Sequence, residues 1–452
     1  MTTALTIIAL PYSPDPLATF AILRQRPGAV LLDSGRPKAT TGRYDILSSD
    51  PIATLEILPN GQTVFESNTL ILPAHFSSYS AQQQWLLEQL PRVGEQSDLP
   101  FLGGLIGYWS YDLGRQQAAI PSQHPVATQL PLARLGLFDW CITFDHATEQ
   151  AWLIGSEHRC QQVIKWLNEP EAPAIPFQLT QPFQAELSQA AYTERFAAVQ
   201  RYIRSGDCYQ INLAQRFSAR YQGDAWQAYL KLRQATPTPF SGFMAWKEGQ
   251  AVLSLSPERF IQCRDGQVET RPIKGTRPRG RTPEEDRALA DDLLSSTKDR
   301  AENVMIVDLL RNDLGRVCQP GSIRVPQLCQ LESYPNVHHL VSVVQGQLAP
   351  QHSPLSLLTA AFPGGSITGA PKIRAMQIID ELEPCQRSVY CGSLGYIDVR
   401  GSMDTSIAIR TMVADAGTLH VWGGGGLVAD SKAEEEYTET LDKIRHLIGA
   451  LE

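Results

Sequence analysis

The sequence predicts a mixed fold of α-helices and β-strands, on three observations. Short apolar runs alternate with polar residues at period two in some segments. Elsewhere apolar residues recur three or four positions apart, and no apolar run reaches the roughly 18 residues that a membrane span requires. With 43% hydrophobic and 19% charged residues over 452 positions, the chain has the composition of a globular protein, long enough for two or three average domains or one large one whose core is divided among several sheets.

Taken in order, the stretch from Met1 to Leu10 is apolar but short, lacks a basic start and runs into Pro11, Pro14 and Pro16. It predicts no export signal, and a cytoplasmic location follows. Ala29-Val30-Leu31-Leu32 reads as a strand and 81–90 as an amphipathic helix. The glycine-rich run 101–108, ahead of Tyr111-Asp112, reads as tight backbone packing, with a ligand loop as the lesser reading. Pro170, Pro173, Pro176 and Pro182 then interrupt regular structure, so 168–186 is expected to link a first region, 1–167, to a second, 187–452.

The second region opens with a helix over 189–204, capped by Ser188 and ended at Gly206, with Tyr192, Phe196, Val199 and Ile203 as its core stripe. The next strand alternates Tyr209, Ile211 and Leu213 against Gln210, Asn212 and Gln215, so a polar face looks towards a site. Residues 251–256 form a strand that leads to Pro257-Glu258-Arg259. The stretch 283–310 reads as one long helix, with acids crowding its first turn. Residues 404–413 read as a single strand on which Arg410 shares a face with small residues.

Charge and cysteine usage exclude several classes. A net charge of −8 argues against a general nucleic-acid binder, and the basic stretch 271–281 is local, which suits a small anionic ligand. The eight cysteines form no CxxC pair, and no histidine cluster has zinc-ligand spacing, so reduced and mostly buried thiols are expected.

Five pieces carry chemistry. Lys274 is flanked by Arg271, Arg277, Arg279 and Arg281, and neighbouring positive charge disfavours the ammonium, which predicts a nucleophilic amine; a solvated basic loop is the plainer alternative. Asp299 with Glu302 and Glu436 with Glu439 are acid pairs three apart on two helices. Converging carboxylates without His or Cys suit a hard cation such as Mg²⁺, whereas exposed surface acids are the other reading. Lys443 follows Glu439 by one turn. Arg410 is placed either to grip a carboxylate or to form a structural ion pair. Gly423-Gly424-Gly425-Gly426 could form a concave anion nest, while 362–372 has Ala370-Pro371 where a nucleotide-binding loop needs Lys-Ser/Thr and is rejected as one.

Together, Pro272-Ile273-Lys274-Gly275-Thr276, Asp299-Arg300-Ala301-Glu302-Asn303, the segment 364–372, Ile407-Ala408-Ile409-Arg410-Thr411 and the segment 423–431 resemble the chorismate-utilising enzymes, the anthranilate synthase component I family. The resemblance covers nearly the whole chain and is strongest from Gln189 onwards. It implies an α+β fold of two large antiparallel sheets packed face to face, with helices outside and the site in a cleft between subdomains. It also implies that chorismate binds through its ring carboxylate to Mg²⁺ held by Glu302 and Glu439, with Asp299 and Glu436 in support. Arg410, Lys443, Tyr390 and the backbone of Gly424, Gly425 and Gly426 would meet the enolpyruvyl carboxylate. Glu258 is the implied general acid at the C4 hydroxyl and Lys274 the implied nucleophile at C2, with His339 and Ser366 at further family site positions.

Anthranilate synthases of this family usually carry alanine where Lys274 stands, which points to the branch that aminates chorismate at C4 for p-aminobenzoate and folate. Gln210 stands where isochorismate and salicylate synthases place a lysine that activates water, and glutamine is no base. Leu31-Leu32-Asp33-Ser34, Arg43-Tyr44-Asp45 and Pro239-Phe240-Ser241 partly match the family's tryptophan site, so a bound tryptophan is a further implication. No glutaminase nucleophile segment is visible, which implies ammonia from a separate glutamine amidotransferase subunit. An anthranilate synthase component and a non-catalytic tryptophan-binding regulator are the alternatives, and a pyridoxal-phosphate enzyme using Lys274 a more distant one. Neither a nucleic acid nor a membrane is expected as a partner.

Overall fold

Alternate residues of the strands feed two different cores. Val30 and Leu31 of strand Val30–Asp33 join separate apolar clusters, as do Val252 and Leu253 of Ala251–Ser256 and Val413 and Met412 of Thr411–Asp415. One core fills the space between two antiparallel sheets, where Leu105, Leu135, Ile261 and Leu394 come from the opposing sheet. The other lies between the outer face of the first sheet and the helices Leu17–Leu23, Glu157–Leu167, Ala225–Ala235 and Ala433–Leu451. Burial on both faces explains why so many strands lack a clean polar alternation.

The computed structural model describes residues 5–91, 97–122, 124–247, 249–334 and 337–452, so the first four residues of the apolar start lie outside the described residues. The sheets have 13 and 11 strands, with eleven α-helices among the described residues, which is the expected α+β architecture. They approach closely at Gly242, where a Cβ would stand 2.6 Å from the Leu394 side chain. Strand Gly104–Trp109 is buried throughout, in keeping with packing as the purpose of the glycine run around it. All eight cysteines are free and buried.

Both sheets draw strands from either side of 168–186. Val30–Asp33 pairs with Phe240–Ala245, and Gly104–Trp109 pairs with Ser393–Asp398. The proline-rich segment contains no helix, and its two-residue strands Gln178–Leu179 and Gln184–Ala185 are stitched to the long strand Gln210–Gln222.

The helix Gln189–Ser205 has Ser188 as its cap and Gly206 in the left-handed conformation, φ 82°, as its stop. Three expectations need correction. The stretch 283–310 is two helices, Pro283–Ser295 and Thr297–Gly315, because Ser296 leaves helical geometry and its hydroxyl caps the Asp299 N–H at 3.2 Å. Residues 404–413 are two strands, Met403–Ile407 in the second sheet and Thr411–Asp415 in the first, separated by Arg410 at φ 50°. The four glycines form no loop nest: they continue strand Thr418–Leu427, with Gly424 opposite Ala214 and Gly426 opposite Asn212.

Candidate active site

The chain leaves the first sheet at Pro257-Glu258 and re-enters it after Ala408-Ile409-Arg410, and these two passages lie side by side. The Ile407 N–H donates to the Glu258 carbonyl at 3.0 Å, and the Leu255 N–H donates to the Arg410 carbonyl at 3.1 Å. The Ser256 hydroxyl donates to the Ile407 carbonyl at 2.6 Å. Residues at such crossings are committed to neither sheet's core, which releases Glu258 and Arg410 for a site.

Glu258 is 6% exposed, and burial raises its carboxyl to about 7 against the opposing pull of the Lys274 charge and of hydrogen bonds from Ser366 and the Ile273 backbone. The Ser366 hydroxyl donates to it at 3.2 Å. Lys274, on the edge strand Ile273–Pro278, donates from Nζ to the Ser366 carbonyl at 3.2 Å. Its amine is held below the usual lysine range chiefly by burial, with Lys443 assisting and Glu302, Glu258 and Glu439 opposing. Three of the four arginines expected to activate it are engaged elsewhere: Arg271 with Glu332, Arg277 with Asp292 and Asp299, and Arg279 with Asp286. Lys274 therefore favours the free amine because it is desolvated, not because arginines crowd it.

One member of each acid pair, Glu302 on helix Thr297–Gly315 and Glu439 on helix Ala433–Leu451, acts on this lysine by its charge. Burial raises the Glu302 carboxyl, as do the charges of Asp299 and Glu436, while Lys274 and Lys298 oppose. Burial likewise raises Glu436, which accepts from the Ser431 hydroxyl at 2.5 Å and has the Lys298 amine 3.7 Å away. Burial also pushes Glu439 up, but Lys443 at 2.6 Å outweighs it and the net shift is downward. Lys443 also donates to the Gly424 carbonyl at 2.8 Å.

Among the described residues no three His, Cys, Asp or Glu side chains form a ready-made metal cage. Mg²⁺ seldom needs one, since it keeps several waters and takes only a few carboxylates. One observation favours a hard cation: the buried Glu436 Oε2 has no hydrogen-bond partner. Gly425 leaves room beside it, because a Cβ there would lie 3.0 Å from Glu436 Oε2 and 3.2 Å from Glu439 Oε1. An all-oxygen donor set with an orphaned carboxylate oxygen fits Mg²⁺.

The remaining expected residues close around this centre. Tyr390 stacks on Trp422 at 6.0 Å and 7°, and its hydroxyl is 2.9 Å from where a Gly424 Cβ would sit. Gln210 is fully buried with neither amide atom hydrogen-bonded, and its Nε2 is 2.5 Å from where a Gly426 Cβ would sit. His339 shares a hydrogen bond of 2.9 Å with Thr276, two residues from Lys274. Burial, then the Arg410 charge, lowers it to about 4, so it is neutral at physiological pH. Arg410 is desolvated in its turn: burial lowers the guanidinium and the Glu258 charge opposes.

Lys298, Glu383 and Arg387 also belong to this neighbourhood and escaped the sequence reading. Lys298 directly precedes Asp299, and Glu383 and Arg387 have the i, i+4 spacing of a helical ion pair, so a faint signal was present.

A separate cavity of about 350 Å³ shares no lining residue with the acids and lysines above. Arg43, Tyr44, Pro239, Phe240 and Ser241 line it, together with Asp33 and Arg259. Ser34 and Asp45 do not: the Ser34 N–H donates to the Asp45 carboxylate at 2.5 Å, and Asp45 turns to His146 at 2.6 Å.

A family model described as "chorismate binding enzyme" matches residues 29–449. The chain is 47% identical over 450 residues to aminodeoxychorismate synthase component 1 of Salmonella typhimurium, covering 99% of this chain and 98% of that protein. It is 46% identical over 434 residues to the Escherichia coli protein of the same name, covering 96% and 95%. The crystal structure of anthranilate synthase component I from Streptococcus pneumoniae superposes with a TM-score of 0.77 at 31% identity, over 91% of this chain and 93% of that one.

Proposed function

This chain belongs to the chorismate binding enzyme family, and from that premise we propose that it aminates chorismate at C4 to give 4-amino-4-deoxychorismate, as an aminodeoxychorismate synthase component 1. Full-length identity of 46–47% to relatives of that name supports this activity. The single observation that carries the chemistry is the half-buried Lys274, its amine held below the usual lysine range, joined to Glu258 through Ser366.

In this reading the Lys274 amine adds at C2, both ring double bonds shift, from C1=C2 and C5=C6 to C1=C6 and C4=C5, and the C4 hydroxyl leaves as water with a proton from Glu258. Ammonia then bonds to C4, both double bonds shift back, and the lysine nitrogen leaves C2 with its bonding pair, so one difficult substitution becomes two easier ones. A carboxyl raised to about 7 still holds the proton this requires near neutral pH. Arg410, Lys443, Tyr390 and the 424–426 backbone orient the enolpyruvyl carboxylate, and Gln210, Ser366 and neutral His339 complete the polar lining. Glu302 and Glu439 would hold Mg²⁺, with Asp299 and Glu436 beside them, and a bound Mg²⁺ would neutralise the ring carboxylate.

The word "component" in the relatives' names supports a partner subunit, for which a glutamine amidotransferase supplying ammonia fits the chemistry. We place the reaction in the cytoplasm, in p-aminobenzoate and folate synthesis. No described helix is long and apolar enough to cross a membrane. Tryptophan is the proposed occupant of the second cavity, supported by Tyr44 and Phe240 for an indole and by Arg43 and Asp33 for charged ends. Chromatography of the denatured protein should release tryptophan, and its absence would remove that assignment.

Product analysis with chorismate, ammonium and Mg²⁺ tests the main reading. Aminodeoxychorismate is the expected product; anthranilate, or no turnover, overturns it.

A further inference from the structure

We propose that the buried pair Arg387–Glu383 is a positioning device for the acid–lysine site, holding the Ser366 turn against the strand that faces 424–426. Arg387 is only 1% exposed. Its guanidinium grips Glu383 in a fork, Nε at 2.8 Å and Nη2 at 2.6 Å. Nη1 donates to the Ile367 carbonyl at 2.9 Å, and Nη2 donates to the Asn212 carbonyl at 2.6 Å. The other half of the pair reaches the same strand, since Glu383 accepts the Ala214 N–H at 2.9 Å.

These contacts converge on the site. Ile367 follows Ser366, the residue that touches both Glu258 and Lys274, and Asn212 and Ala214 stand opposite Gly426 and Gly424. The guanidinium carbon also lies 4.6 Å from the Tyr111 ring centre and 5.8 Å from that of Tyr390. A buried ion pair is a poor way to gain stability, because desolvation offsets its attraction and apolar residues of the same volume often do as well. It does fix geometry, and a planar five-donor fork fixes it in a way that lysine cannot reproduce. A small displacement of the Ser366 turn would move the acid and the nucleophile relative to one another, to which rate is acutely sensitive.

The test compares Arg387→Lys and Glu383→Gln with the wild type in the full chain, after circular dichroism confirms the fold. The kinetic arm rests on the amination reading. There kcat should fall by about tenfold or more in Arg387→Lys while KM for chorismate moves by less than about threefold. Retained charge should not rescue the variant. A second arm needs no substrate: reductive methylation followed by mass spectrometry gives the labelling of Lys274 relative to the exposed Lys432. That ratio should rise by about threefold as the Ser366 carbonyl, which favours the ammonium, moves away from Nζ.

Folded variants with wild-type kcat and an unmoved labelling ratio overturn the proposal. Loss of the soluble fold in both variants overturns it too, since the pair would then serve folding alone. If the wild type does not aminate chorismate, the amination reading fails by itself and the labelling ratio still decides the role of the pair.

Discussion

Lys274 and Glu258 are joined through a single residue: the Lys274 Nζ donates to the Ser366 carbonyl at 3.2 Å, and the Ser366 hydroxyl donates to Glu258 at 3.2 Å. Burial moves the two groups in opposite directions, the amine down and the carboxyl up to about 7. Each is thereby pushed towards its neutral form, the form in which a lysine can act as a nucleophile and a glutamate as an acid.

The pH dependence of turnover follows. A general acid must carry its proton, so the alkaline limb of kcat falls as pH rises through about 7. Glu258→Gln should lower kcat by roughly 10²–10⁴-fold and abolish this alkaline limb. A limb unchanged in the variant would assign it to another group. Lys274→Ala should slow amination by at least about tenfold and eliminate the adduct sought by mass spectrometry of enzyme with chorismate but no ammonia.

Glu258→Gln should also stabilise the fold on the alkaline side. The Glu258 carboxyl is raised from 4.5 to about 7, so the folded protein holds a proton that the unfolded chain has released, and the stability this contributes is present below 4.5 and lost as pH rises through 7. A glutamine at this position carries no such dependence. Urea unfolding at pH 8 should show Glu258→Gln more stable than the wild type by up to about 3 kcal/mol, with the difference vanishing near pH 4.5. Equal stabilities at pH 8 would contradict a buried, proton-holding Glu258.

Histidines give the opposite slope. His420, bonded to Ser218 at 2.8 Å, is lowered to about 4, first by burial and then by Arg216, and His339 is lowered to the same value. Both are neutral in the fold, so the stability they contribute is present above pH 6.5 and lost as pH falls towards 4. NMR should show both rings neutral at pH 5.5, and His420→Gln should flatten the acid side of the stability profile. A ring that titrates near 6.5 would refute its burial as the controlling influence.

Two neighbouring glycines should behave differently when changed to alanine. At Gly423 a Cβ would run into the Thr440 backbone carbonyl, which cannot move without its helix, so Gly423→Ala should cost about 1–3 kcal/mol in denaturant titration. At Gly425 the same carbon would meet only the carboxylate ends of Glu436 and Glu439. Gly425→Ala should therefore fold and lose mainly Mg²⁺ affinity, measured by calorimetry. Both positions face helix Ala433–Leu451, and the reverse ranking of the two variants would refute these two contacts.

The sequence disclosed residues whose surroundings are local and hid those whose surroundings are assembled. Helix 189–205 was readable because Ser188, the apolar stripe and Gly206 act within a few turns. The break at Ser296 was also written locally, as a serine three residues before Asp299, yet continuous helical periodicity masked it. Arg410 was placed on a strand because period two runs unbroken through a crossing that only the pairing of two sheets reveals. Lys274 stands out in the sequence by its arginines, three of which are neutralised by acids 7 to 61 residues away, and its desolvation is invisible in one dimension. The motifs of the family pick out residues that the fold brings together, while Arg387, half of whose hydrogen bonds go to backbone carbonyls, leaves only its i, i+4 spacing from Glu383.

The interleaving of strands across 168–186 also sets an order of events during synthesis. Gly104–Trp109 cannot find its neighbour Ser393–Asp398 until nearly three hundred further residues exist, and strand Thr411–Asp415 must slot in beside Ala251–Ser256. Pairings so distant along the chain slow folding and prolong the exposure of unpaired edges. On the ribosome, the nascent chain must keep two incomplete sheets in waiting until its last strands emerge. A fragment that stops short of them is expected to be a client for chaperones before it is anything like an enzyme.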